Sequence, residues 1–209
     1  MAIELWVAFV AASCVLLLIP GPTILTVISY SIAHGKRANI PLIAAVALGD
    51  STALLLSLAG LGAVLATSAW LFVLIKWAGG LYLIYLGIKL MRAGATPLAK
   101  EKAQAVESRL KLFANTWLVT ALNPKGIIFF VAFLPQFIDP ASDVVSQLWV
   151  LSISFVVLAT VNATLYTVFA ANARQLLASP GALQRFNIGG GGLLMVAGGW
   201  ALTARQVAQ

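Results

Sequence analysis

Charge is what this sequence has least of. Asp, Glu, Lys and Arg make up 9% of its 209 residues, against roughly 25% in soluble domains. Most of the chain therefore has no means of staying in water. Cysteine is nearly absent as well: Cys14 alone excludes a disulfide, a cysteine-rich metal site or a dithiol relay within one copy. Histidine occurs once, at His34 beside Lys36 and Arg37. Metal ligands come in clusters, so His34 reads as a solvated loop residue. Carboxylates are scarce, and Asp50 is the only one inside an apolar run. No triad, carboxylate dyad or metal cluster can be assembled, so neither an enzyme nor a bound cofactor or resident metal is expected. A cleavable leader is not expected either. Glu4 stands where a basic residue would, and no small-residue cleavage site follows the first apolar run.

What the sequence has in quantity is long apolar stretches. Hydrophobic residues reach 61% and mean hydropathy +1.00. Runs at 5–30, 41–66, 70–91, 112–137, 146–171 and 187–206 are each long enough to cross a bilayer. The expected fold is an all-α integral membrane protein with six transmembrane helices. The net charge of +7 does not indicate nucleic acid, because the basic residues fall in alternate loops. Lys36 and Arg37 lie in the first loop; Lys89, Arg92, Lys100, Lys102, Arg109 and Lys111 flank or occupy the third; Arg174 and Arg185 lie in the fifth. The intervening loops carry Thr67–Ala69 and the acidic Asp139 and Asp143; Arg205 alone stands on that side, near the C-terminus. Positive loops stay cytoplasmic, which puts both termini outside the cytoplasm.

The third loop divides the chain into a first three-helix repeat at 1–92, a basic cytoplasmic linker at 93–110 and a second three-helix repeat at 111–209. An odd number of spans in each half inverts the second relative to the first, as an inverted repeat requires. Gly80 and Gly87 in span three are echoed by Gly191 and Gly198 in span six at the same spacing of seven. That spacing is about two helical turns, so each pair shares a face that admits close backbone approach, within one copy or between two copies of a homodimer.

Helices 1 and 4 are interrupted at corresponding depths, by Pro20-Gly21-Pro22 and by Asn123-Pro124-Lys125. Proline removes a donor and clashes with the preceding turn. Backbone groups freed inside hydrocarbon persist only where they face protein or a wet cavity. Paired breaks of this kind point to a transporter's binding site. Pro22 and Thr23 are expected to open a second half-helix whose bare N–H groups attract a carboxylate, although a kink that merely improves packing would leave the same trace. Lys125, near the midplane, is costly unless paired or wet; it suits a substrate carboxylate or a protein one. Asp50 fits a proton carrier, a counter-ion for Lys125 or a contact for an amino group, with a helix cap beside Gly49 as the plain alternative. Asn162 is kept with Asn123 as a neutral site candidate. Lys76 reads as snorkelling beside Trp70, Phe72 and Trp77, and Tyr82 and Tyr85 as packing between the halves.

Taken in order, these segments resemble one family. They are the Pro-Gly-Pro break, Gly49-Asp50, the Lys76-Trp77-Ala78-Gly79 to Tyr82-Leu83 run, Asn123-Pro124-Lys125, Phe133-Leu134-Pro135-Gln136-Phe137, and the stretch from Asn187 to Gly190. They are similar to the lysine exporter/homoserine–threonine resistance (LysE/RhtB) amino-acid efflux family over nearly the whole chain. The resemblance implies a secondary transporter in the bacterial inner membrane, exporting amino acids or derivatives such as homoserine, threonine or leucine by proton antiport. It carries the binding role onto Pro20, Gly21, Pro22, Asn123, Pro124 and Lys125, and the carboxylate role onto Asp50. Thr23 departs from the asparagine common after the first break, and a hydroxyl replaces only part of an amide's bonding. Two other functions fit such a scaffold: export of an inorganic or heavy-metal cation, which wants more carboxylates, thiols or imidazoles than the spans offer, and a passive solute channel. The partners expected are a small amino-acid solute, protons and the lipid bilayer, with no nucleic acid.

Overall fold

The computed structural model describes residues 1–67, 69–92, 108–139, 141–170, 172 and 180–203. Most of the basic linker, including Lys100 and Lys102, lies outside the described residues, as do Arg174 and Arg205. The described chain is helical. It runs α1 (Ile3–Leu18), α2 (Pro22–His34), α3 (Lys36–Thr67), α4 (Ala69–Arg92), α5 (Arg109–Ala121), α6 (Pro124–Ile128), a π-helical turn (Phe129–Phe133), a 3-10 turn (Leu134–Phe137), α7 (Val144–Val168) and α8 (Pro180–Thr203). Among the described residues three stretches are long and apolar enough to cross a membrane, Lys36–Gly60, Arg109–Phe137 and Val144–Val168. The α1–α2 pair, bent by 54°, makes a fourth if counted as one span.

The first expected loop is shorter than its sequence suggests. His34 ends α2, with Nδ1 3.2 Å from the Tyr30 carbonyl, and α3 begins two residues later. Only Gly35 intervenes, at φ 60°, its N–H bonded to Ser31 O at 2.9 Å. That left-handed turn is available to glycine at little cost. Pro41 sits in the second turn of α3, where its missing N–H costs a single bond to Arg37.

The two interruptions differ in scale. The first takes Ile19, Pro20 and Gly21 out of the helix and redirects the chain. The second releases only Leu122 and Asn123 and leaves Arg109–Phe137 as one span of 29 residues. Further along that span Pro135 has no N–H to return to Val131, and the helical ladder widens into the π turn just before it. This loosened stretch carries four phenylalanines into the core. Phe130 meets Phe155 of α7 edge-on at 4.7 Å, and Phe137 meets Phe9 of α1 at 5.4 Å. Phe9, Phe129, Phe130, Phe133 and Phe137 are all buried.

α3 packs on α5 and α7, and α4 packs chiefly on α8. The α4–α8 contact is made backbone to backbone. A Cβ on Gly87 would lie 2.5 Å from Gly191 O, and one on Gly198 would lie 2.6 Å from Gly80 O. The expected glycine faces thus meet within one chain. Their neighbours pair reciprocally: Gly80 abuts Leu202 while Gly191 abuts Met91, and Gly87 abuts Met195 while Gly198 abuts Ile84. Each of these contacts becomes another on exchanging residues 111 positions apart, the separation of Gly80 from Gly191 and of Gly87 from Gly198. Outward, Leu55, Trp149 and Val196 are exposed, which suits side chains bathed in hydrocarbon.

Candidate functional site

The end of α1 leaves backbone carbonyls with no helical donor, and side chains from the other half of the chain supply them. Lys125 Nζ donates to Leu16 O and to Ile19 O, both at 2.8 Å. Asn162 Nδ2 donates to Leu17 O at 3.2 Å, and Tyr166 OH to Leu18 O at 3.1 Å. Four successive carbonyls, Leu16 to Ile19, are therefore each met by a side chain more than a hundred residues away. An ammonium at this position also faces the negative end of the helix dipole. Gly21 gives Lys125 room, since a Cβ there would sit 3.4 Å from both Cε and Nζ.

The beginning of α2 is the opposite case. Pro22 occupies its first position, Gly21 is extended, and no side chain caps the helix. The N–H groups of Thr23 and Ile24 are thus left without an intrahelical acceptor, and both residues line a cavity. α6 is capped instead. Asn123 Oδ1 accepts from the Lys125 N–H at 3.1 Å, while its Nδ2 donates to Thr23 Oγ1 at 3.1 Å. One amide therefore closes the start of α6 and ties it to the start of α2. A hydroxyl at position 23 is sufficient for that tie.

Asp50 comes from α3, which continues unbroken past it, so the carboxylate caps no helix end. It is brought to the breaks by Gly49, where a Cβ would lie 2.6 Å from Thr120 Cβ and 3.1 Å from Trp117 O of α5. Asp50 is 8% exposed and makes no hydrogen bond or ion pair with any described residue. It shares a cavity of about 30 Å³ with Gly21, Thr23, Asn123, Lys125 and Asn162, and it attracts Lys125 across that space. Such a volume holds a water or two; it is far below the ~300 Å³ at which small-molecule pockets begin.

Residues 14–205 match the LysE type translocator family. The chain belongs to that family. It is 33% identical over 206 residues to the homoserine/homoserine lactone efflux protein of Salmonella typhimurium, covering 99% of this chain and all of that protein. An uncharacterized membrane protein of Vibrio cholerae is 35% identical over 205 residues, 98% of this chain and all of that protein. A leucine efflux protein of Salmonella choleraesuis is 30% identical over 131 residues, 63% of this chain and 62% of that one. No solved structure matches the chain. Family and relatives point to a membrane transporter rather than an enzyme.

In this LysE type translocator, Gly21, Thr23, Asp50, Asn123 and Lys125 converge on the cavity, and Asn162 joins them. Pro20, Pro22 and Pro124 do not line it, and Pro22 and Pro124 are exposed. They shape the site by ending helices, and their neighbours face inward. Tyr166 was not visible as a site residue beforehand. Its only sequence signal is its place four residues after Asn162, on the same face of α7. Tyr85 does not pack between halves as expected: it is exposed, with Lys89 Nζ 5.9 Å from its ring centroid. The side chain of Lys76 lies outside what the structure describes.

Proposed function

We propose that this translocator exports a small amino acid or amino-acid derivative, homoserine-, threonine- or leucine-like, from the bacterial cytoplasm by proton antiport. The observation that carries the reading is a cavity that joins two helix breaks a hundred residues apart to Asp50, which has no hydrogen bond or ion pair with a described residue. The open start of α2 offers N–H groups to a substrate carboxylate, with Thr23 and Asn123 beside them. Lys125 has one ammonium proton left after bonding Leu16 and Ile19, and this can reach the same carboxylate. Asp50 receives the ammonium group of the substrate or a proton in alternation. A carboxylate kept from water without a donor either finds a cation or carries a proton, which is the exchange an antiporter needs.

Six spans in two inverted halves, at 1–92 and 111–209 with the basic linker between, are part of this reading. The reciprocal contacts of α4 and α8 support it, because a pseudo-two-fold axis between the helices exchanges them. With basic loops in the cytoplasm, both termini face the other side of the inner membrane. The halves rock about the cavity, which is closed in this state and widens to admit solute. Each proton moving inward supplies about 2.3 kcal/mol per 100 mV, enough to drive a neutral solute uphill.

The test is counterflow and pH-driven uptake of an amino-acid panel in proteoliposomes. Asp50→Asn should insert normally, exchange labelled solute more slowly for want of the ammonium contact, and lose the response to an imposed pH gradient. An unchanged pH response in that variant would remove Asp50 from the coupling.

A further inference from the structure

Two different helix packings flank the cavity. On the side of α1 and the far end of the Arg109–Phe137 span, buried phenylalanines 9, 129, 133 and 137 stack against one another. On the other side α2 runs against α5, and the contact there is polar. Asn115 Nδ2 donates to Tyr30 OH at 3.2 Å, about two helical turns along α2 from the Thr23–Asn123 bond. The Tyr30 ring is held in place by the edge of His34, 5.9 Å away, and by Leu112, Ala38 and Leu42 in one small apolar cluster.

Two hydroxyls on these two helices, each one residue along from the Tyr30–Asn115 bond, have no hydrogen-bond partner among the described residues. Ser31 Oγ, next in sequence to Tyr30, and Thr116 Oγ1, next to Asn115, are buried without a hydrogen bond; Thr116 is 0% exposed and Ser31 5%. A helical hydroxyl ordinarily bonds the carbonyl four residues back, and Thr26, Ser51, Thr52, Thr120 and Thr160 do so here. Ser31 and Thr116 do not, and leaving them unsatisfied is costly. Two further orphans, Ser13 Oγ and Gln136 Oε1, lie in α1 and the 3-10 turn, on the phenylalanine side.

We infer that the α2–α5 seam is the cytoplasmic entrance for a polar solute, latched by the Tyr30–Asn115 hydrogen bond and lined by the hydroxyls of Ser31 and Thr116. The inference rests on the transport role of the Asp50–Lys125 cavity and on the cytoplasmic placement of Lys36, Arg37 and Arg109 at the seam's outer end. When the helices part, the two hydroxyls bond the passing solute or its water, which explains why they forgo their own helices.

Cys14 is the only native thiol, so Cys14→Ser gives a cysteine-free chain. In that background Ser31→Cys, Thr116→Cys and, as a control, Ser13→Cys are treated with a charged, membrane-impermeant methanethiosulfonate, from one face at a time in oriented vesicles. The first two should react from the cytoplasmic face only. Adding Tyr30→Phe or Asn115→Ala should accelerate them about three- to tenfold, the effect of losing one hydrogen bond, without accelerating Ser13→Cys. Equal labelling from both faces, or rates indifferent to both latch variants, would overturn the inference. These arms contain no amino acid. L-homoserine and L-leucine are then added separately. If the latch variants accelerate labelling but neither compound alters it, the entrance stands and the choice of solute fails.

Discussion

Lys125 was legible as an anomaly, a cation thirteen residues into an apolar run, but its partners were not. Nothing in a one-dimensional pattern shows that the carbonyls of Leu16 and Ile19 are left bare, since that depends on how far α1 unwinds before Pro20. Asp50 was legible for the same reason, and Gly49 beside it acquires a meaning only from the proximity of Thr120. Tyr166 illustrates the reverse case, a common residue whose importance comes entirely from the carbonyl it meets. Different consequences follow from removing each. Lys125→Met deletes two bonds from a charged donor, about 1.5–3 kcal/mol each, and should sharply lower the unfolding temperature in detergent as well as abolish transport. Tyr166→Phe deletes one neutral bond, about 1 kcal/mol, and should give a smaller thermal shift with transport reduced but measurable. Equal thermal shifts would mean that Lys125 does not hold the end of α1.

Among the elements, the glycines of α8 make the clearest contrast. Gly191 and Gly192 are adjacent, yet a Cβ on Gly191 would strike Gly87 O at 2.5 Å while one on Gly192 has nothing within 4 Å. Gly192→Ala should leave stability unchanged or raise it by up to about 1 kcal/mol through helix propensity. Gly191→Ala must push α8 off α4 and should yield poorly folded protein, read as lost monodispersity after extraction. The spacing of seven was visible in sequence; which of the four consecutive glycines, 189–192, touches the partner was not. α7 offers a pH-sensitive end. Asp143 accepts from the N–H groups of Val145 and Ser146 and from the Ser146 hydroxyl, and these donors hold its carboxyl below the usual carboxylate range. A depressed acid stabilises at pH values above its unfolded pKa and loses that contribution as pH falls through the folded one. Amide exchange in the first turn of α7 should therefore quicken on acidification below the ordinary carboxylate range. Asp143→Asn, which can still cap, should remove that dependence.

At the scale of the whole molecule, helical content, membrane character and family were all legible, because charge content and apolar run length constrain them directly. The breaks were legible as helix interruptions because proline is costly inside a helix, but their inequality was not: the difference between a 54° bend and a two-residue interruption depends on neighbours such as Tyr166 and Asn162. Orientation rests on loop charge alone and is open to a direct check. A C-terminal alkaline phosphatase fusion should be active, and a C-terminal green fluorescent protein fusion dark, if both termini lie outside the cytoplasm. The opposite pattern would reverse the assignment of the α2–α5 seam as well.

Under the export role proposed above, the narrowness of the cavity has a physiological corollary. An exporter that rests shut binds its cargo only after spending free energy to open, so its apparent affinity is weakened by the fraction of time it stands competent. Such a device ignores everyday metabolite levels and responds to surfeit, behaving as a relief valve that spares the nutrient pool until accumulation becomes harmful.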